Sequence, residues 1–140
     1  MALLLGAPLS ACGESEQNEG RLLLDRIEAL EGLPVPVRAA LIEELSELPL
    51  RSEALLTTRD RCVDMHRALV LAEQNTAEAR QIITAAEQGG DVPPAELRRV
   101  PGLLAGSDEA VEQARERRTE CQRGLSSLRM RLGRRRGDSP

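Results

Sequence analysis

The sequence contains no Phe, Tyr or Trp and no Lys, and its only histidine is His66. Without an aromatic ring, the chain cannot stack on a nucleobase or a sugar, and it cannot build a cage around a quaternary ammonium group. We therefore expect no nucleic-acid partner. The core has to be built from Leu, Ile, Val and Ala, which favours helices that approach closely.

Catalytic motifs are also missing from the sequence. Hydrolytic sites need a nucleophile or a paired acid and base held by orienting groups, but no second histidine accompanies the Ser and Thr residues. There is no glycine-rich phosphate loop, no HExxH and no CxxC. We predict a noncatalytic protein that holds no cofactor.

The chain after residue 15 has the periodicity of helices, and no alternation suggests a strand. Turns rich in Gly and Pro occur at 32–36, at Pro49 and at 89–94. Ser52 is a candidate N-cap, and Pro101 with Gly102 predicts a break in the last helix before a restart at Ser107. The predicted helical segments are about 16–31, 37–48, 52–88 and 95–132. We expect the first two to bury Leu23, Leu24, Ile27 and Leu30, and Ala40, Leu41, Leu45 and Leu48, respectively.

Each of the two long segments carries one stripe of mostly apolar residues at alternating spacings of three and four, as in helices packed side by side. Folding the chain between Asp91 and Val92 brings together residues equally distant from that point. Each member of one stripe then faces a member of the other stripe, and the one poor pair is Arg118 opposite Met65. The stripes contain Leu55, Thr58, Cys62, Met65, Leu69, Ala72, Thr76, Ala79, Ile83 and Ala86, and Leu97, Val100, Leu104, Ser107, Val111, Ala114, Arg118, Cys121, Leu125, Leu128 and Leu132.

This register, derived from the stripes and the turn, places Cys62 opposite Cys121. We therefore predict an all-α fold, a small helical bundle built on a long antiparallel hairpin with a Cys62–Cys121 disulfide. Two shorter N-terminal helices pack on the hairpin. In a chain-entropy model, a cross-link closing a loop of this length stabilises by about 4 kcal/mol.

The first twelve residues have a different character. An apolar stretch at 2–9 leads into Leu-Ser-Ala-Cys, which ends at Cys12. This opening resembles a bacterial lipoprotein signal, a short hydrophobic segment closed by a Leu, small, small, Cys box. The resemblance implies that residues 1–11 are a signal peptide and that Cys12 carries the lipid at the mature N-terminus. A signal peptide normally begins with a basic segment, the n-region, but no Lys or Arg precedes Arg21 here. We interpret this absence as an n-region truncated by a start codon assigned too far downstream.

The resemblance also implies a location, the periplasmic face of the bacterial envelope. In lipoprotein sorting, the residue directly after the lipidated Cys influences which membrane the protein reaches. Gly13 at this position, in place of an Asp, favours the outer membrane. The polar residues at 12–20 suit a tether, followed by a helical domain at 21–132 and a basic disordered tail at 133–140. The alternative to a signal is an apolar terminus that packs on the domain.

The cysteine count agrees with export. Three cysteines leave one over in a secreted protein, but a lipid on Cys12 leaves a single pair for a disulfide, which persists in the periplasm. We expect an interaction or scaffold module that binds another envelope protein; its oligomeric state is open. The alternative from another class is a cytosolic helical adaptor with reduced thiols.

A metal site is a further alternative. Cys62, Met65 and His66 lie at positions i, i+3 and i+4 of one helix, with Cys121 predicted opposite. Thiolate, thioether and imidazole suit Cu(I), and Cys with His suits Zn(II), as in a periplasmic copper or zinc binding protein. An oxidised cysteine pair supplies no thiolate, so the main interpretation contains no metal.

The C-terminal region is basic although the whole chain has a net charge of -4. Residues 115–140 hold nine Arg and three acids. We expect their arginine cluster to meet anionic lipid headgroups or lipopolysaccharide phosphates. The alternative is that these cations complement a helix dipole and keep the tail solvated. The cluster consists of Arg129, Arg131, Arg134, Arg135 and Arg136.

Overall fold

A computed structural model describes the backbone of residues 11–137 and the side chains of residues 13–133. This part of the chain forms four helices and no strand, which confirms the predicted all-α fold. The helices are α1 (Ala11–Glu28), α2 (Val35–Ser46), α3 (Glu53–Glu87) and α4 (Pro94–Gly137). At about 1.5 Å per residue, α3 is roughly 50 Å long and α4 roughly 65 Å.

α3 and α4 form the predicted antiparallel hairpin. Gly89 follows α3 with a φ of 74°, a left-handed conformation that glycine adopts at helix ends. Cys62 and Cys121 face each other, with Cα atoms 4.7 Å apart. Nearer the turn, the hydroxyl oxygens of Thr76 and Ser107 share a hydrogen bond of 2.8 Å. Both pairs agree with the register derived from the sequence.

The two shorter helices pack on the hairpin at the end away from its turn. α2 lies against α3, where Arg38 forms an ion pair of 2.5 Å with Glu73. α1 crosses α4. Its Glu16 and Glu28, separated by about 18 Å along the helix, form ion pairs with Arg131 and Arg129 of α4, respectively.

The apolar core lies in the same half of the molecule. From 73 to 106, by contrast, the one buried side chain is that of Ala79. We call residues 73–106 the distal arm, because only the two helices of the hairpin and their turn form it. The core consists of Leu23, Ile27, Leu30, Ile42, Leu45, Leu55, Cys62, Val63, Met65, Val70, Cys121, Leu125 and Leu128.

The prediction for the buried face of α2 was partly wrong. Ile42 and Leu45 are the buried residues of this helix, whereas Ala40 is exposed and Leu41 only half-buried. Apolar residues occur on nearly every side of this short helix, so their spacing does not define one face.

The expected tether is helical. α1 begins at Ala11 and includes residues 12–20, and contacts with other parts of the molecule hold its polar first turns. Glu19 accepts a hydrogen bond of 2.9 Å from the backbone N–H of Arg51, and Gly20 is buried against Leu55 and Leu128. The separation into a tether and a domain beginning at residue 21 therefore needs correction.

The expected interruption of the last helix is absent. α4 passes through Pro101 and continues to Gly137, so residues 133–137 are helical where a disordered tail was expected. A proline inside a helix removes one N–H and leaves the carbonyl of the residue four positions earlier without its partner. Pro101 and Leu97 are both exposed, so water can satisfy that carbonyl and the helix continues.

Candidate functional site

The disulfide between Cys62 and Cys121 lies in the middle of the core half of the hairpin. The two cysteines are 0% and 1% exposed, respectively, and they belong to the same apolar cluster as Val63 and Leu125. Solvent reductants therefore cannot reach the bond without local opening of the hairpin. The sequence register identified this pair correctly.

His66 lies one turn beyond Cys62 and is 8% exposed. Burial lowers the pKa of its imidazole, the positive charge of Arg38 lowers it further, and Glu31 partly opposes the shift. Nδ1 has no hydrogen-bond partner among the described residues. The environment therefore favours a neutral, buried histidine at physiological pH.

The residues proposed for the metal alternative do not form a ligand set. Cys62 and Cys121 share the disulfide, which removes both thiolates and leaves only Met65 and His66. Within the described part of the chain, no three His, Cys, Asp or Glu side chains are grouped so that they could hold a metal ion.

The N-terminus of α1 and the C-terminal part of α4 meet at the end of the molecule opposite the hairpin turn. We call this the basal end, formed by residues 13–24 and 128–133. Gly13 and Arg131 line the same open cavity of about 280 Å³. The backbone of Cys12 precedes Gly13 in α1; the Cys12 side chain and residues 1–10 lie outside the described part. The cavity also contacts Glu16, Gln17, Leu55, Leu128 and Leu132.

A second open cavity of about 320 Å³ lies between α1 and α4 at the basal end. Arg21 and Leu24 of α1 line it on one side. Arg129, Leu132 and Gly133 of α4 line it on the other. We call it the basal groove. Sequence reasoning missed Arg21, because the position at which α1 crosses α4 cannot be read from the periodicity of either helix.

The predicted arginine cluster begins within the ordered helix α4. Arg129 forms an ion pair of 2.8 Å with Glu28, and Arg131 forms one of 3.8 Å with Glu16. Arg134, Arg135 and Arg136 continue the same helix, with side chains outside the described part. At least two members of the cluster therefore bind α1 instead of forming a detached tail.

The distal arm exposes part of its predicted packing stripe. Leu97 and Leu104 are each 43% exposed and Ile83 is 38% exposed, although all three belong to the stripes expected between the helices. Small residues occupy the contact instead, such as Ala79 and, just beyond the arm, Ser107. Helices that meet through small side chains come close together, which leaves the larger neighbours at the edge in solvent.

None of the helices found between residues 11 and 137 is both long enough and apolar enough to cross a membrane. Comparison with protein-family models, with curated proteins and with solved structures finds no match to this chain.

Proposed function

We propose that this protein is a noncatalytic lipoprotein of the bacterial envelope, anchored by a lipid on Cys12, which acts as an interaction or scaffold module in the periplasm. The observation that carries the proposal is the buried Cys62–Cys121 disulfide. Disulfides of this kind belong to oxidising compartments. The disulfide uses two of the three cysteines in the sequence and leaves Cys12 for the lipid.

The arrangement of the helices supports a scaffold function. Cys12 lies in the first turn of α1, and α1 is held to the rest of the domain by Glu19 and Gly20. A lipid at this position joins the membrane directly to the folded domain. The tip of the distal arm, at the hairpin turn, lies about 50 Å away along α3, where another envelope protein can meet it. Its exposed aliphatic residues support an interaction function for this end.

The decisive experiment is the intact mass of the protein purified from its native host. We expect a polypeptide beginning at Cys12, with the added mass of acyl groups and two hydrogens fewer than a chain with reduced Cys62 and Cys121. A chain that retains residues 1–11 and an unmodified Cys12 contradicts the lipoprotein assignment. Free thiols at Cys62 and Cys121 favour a cytosolic adaptor.

Detergent partitioning provides a matched comparison. We expect the wild type in the detergent phase and the Cys12→Ser variant in the aqueous phase, with no change in helical content. The Cys62→Ser, Cys121→Ser double variant should remain in the detergent phase, because the disulfide does not contribute to anchoring. Membrane fractions separated by density then test the outer-membrane location implied by Gly13.

A further inference from the structure

We propose that the basal groove binds the anionic headgroup surface of a lipid membrane, with Arg21 and Arg129 as the contacts to phosphate. The groove has a guanidinium-bearing residue on each of its two helices, and Leu24 and Leu132 between them. Guanidinium groups donate paired hydrogen bonds to phosphate oxygens. The apolar residues suit the acyl chains that begin just below the headgroups.

The charges around the groove favour an anionic partner. Residues 123–137 of α4 contain six Arg and no acid. The facing residues 13–28 of α1 hold five acids and two Arg, and Glu28 and Glu16 form ion pairs with Arg129 and Arg131. Six and two positive charges minus five negative charges leave the two segments together with a net charge of +3. Asp25 also lies on α1, four residues after Arg21.

Arg21 distinguishes the groove from a basic tail. Its side chain is exposed, and it forms no ion pair within 4 Å with any described acidic side chain. Because α1 crosses α4, Arg21 lies on the same groove as Arg129 despite a separation of more than one hundred residues in sequence. A solvated C-terminal tail requires no contribution from Arg21, whereas a binding groove does.

This inference concerns the same end of the molecule that the proposed function assigns to the membrane, but attraction between Arg and phosphate does not need the lipid anchor. The Cys12→Ser full-length chain therefore tests it. Loss of lipidation leaves the groove intact, and failure of the groove leaves the mass and partitioning experiments unaffected.

The fluorescence of a single introduced tryptophan reports contact with the membrane, since the chain contains no other aromatic residue. A Cβ at Gly133 or at Gly102 would meet no atom within 4 Å, so a side chain at either position starts in open space. In the Cys12→Ser background, we expect the emission of Gly133→Trp to shift to the blue with vesicles of phosphatidylglycerol and phosphatidylcholine. Gly102→Trp, in the distal arm, should not shift. Equal shifts, or no shift at Gly133→Trp, overturn the proposal.

Charge removal tests the contact to phosphate. In vesicle sedimentation at low salt, Arg21→Gln should weaken binding about fivefold, the effect expected for one Arg near an anionic surface. Arg98→Gln, an exposed change of the same charge in the distal arm, should leave it unchanged. Equal losses in both variants overturn the proposal.

Salt and phosphate complete the test. Binding should decrease as salt rises, and it should be absent on phosphatidylcholine alone. Displacement by inorganic phosphate at constant ionic strength indicates a site for the free ion and overturns the membrane assignment.

Discussion

A close contact between α3 and α4 depends on the absence of a side chain at Gly124. A Cβ at Gly124 would lie 2.8 Å from Oγ1 of Thr58 and 2.9 Å from its Cγ2. Thr58 cannot easily move away, because it is buried and its hydroxyl donates a hydrogen bond of 3.0 Å to the carbonyl of Ala54. Gly124 therefore limits how far apart the two helices must be, directly before the core residue Leu125.

We predict that Gly124→Ala destabilises the protein, because overpacking a core typically costs about 1–3 kcal/mol. This loss should exceed the gain of about 1 kcal/mol that alanine brings to a helix interior. Urea denaturation of the oxidised protein measures it. The control is Gly102→Ala, where nothing lies within 4 Å and stability should rise. A stabilised Gly124→Ala variant would show that the helices are not in close contact there.

The buried imidazole of His66 predicts a loss of stability on acidification. Its pKa is lowered in the folded protein by burial, then by Arg38, so between the folded and unfolded pKa values the unfolded chain binds more protons. The stabilising contribution is complete above the unfolded value of about 6.5. It decreases as the pH falls below that value, by up to about 1.4 kcal/mol per pH unit.

Denaturation curves at pH 7.5 and pH 5.5 test this prediction. The wild type should lose more stability between the two values than His66→Leu, which has no imidazole to titrate. Carboxyl groups titrate in both proteins and cancel in the comparison. An identical pH dependence for the two proteins contradicts the assignment of a depressed pKa to His66.

Among the helices, the hairpin was the most predictable part of the molecule. Two long stripes and one turn permit a single register, which correctly placed Cys62 beside Cys121 and Thr76 beside Ser107. Spacing repeated over many turns determines the register, since each added turn excludes further ways of pairing the two helices. The stripes did not identify which members are buried, because close approach through small residues leaves Leu104 at the edge.

The short helices were less predictable for a physical reason. α1 is held by contacts that connect distant parts of the sequence, such as Glu19 with the backbone of Arg51. The polar composition of its first turns suggested a tether, since local sequence carries no trace of those partners. The same crossing placed Arg21 in the basal groove, so the predicted arginine cluster was incomplete.

The continuity of α4 through Pro101 predicts a local weakness in the distal arm. The missing N–H costs a helix interior about 3 kcal/mol, and few buried contacts offset it between 73 and 106. Pro101→Ala should slow amide hydrogen exchange in residues 97–105 with little change in the core helices. Unchanged exchange in this segment would mean that the arm opens elsewhere first.

For the whole molecule, the disulfide is the main support of a small core without aromatic residues. A bond between cysteines 59 positions apart stabilises by about 4 kcal/mol in the chain-entropy model. We predict that the Cys62→Ser, Cys121→Ser variant loses stability on this scale, and that reduction of the wild type in denaturant prevents complete refolding. Cys12→Ser should have no such effect. A double variant as stable as the wild type would show that packing alone holds the hairpin.

The helical start of α1 has a mechanical consequence if Cys12 carries a lipid. A flexible linker would let the domain sample many heights above the bilayer, whereas α1 already includes Cys12, so that no unstructured linker separates the lipid from the domain and the range of heights is narrow. The hairpin then acts as a spacer of set reach, and its tip moves in a layer at a nearly constant height. A partner within that layer is found by a search in two dimensions, which favours partners at the height of the tip.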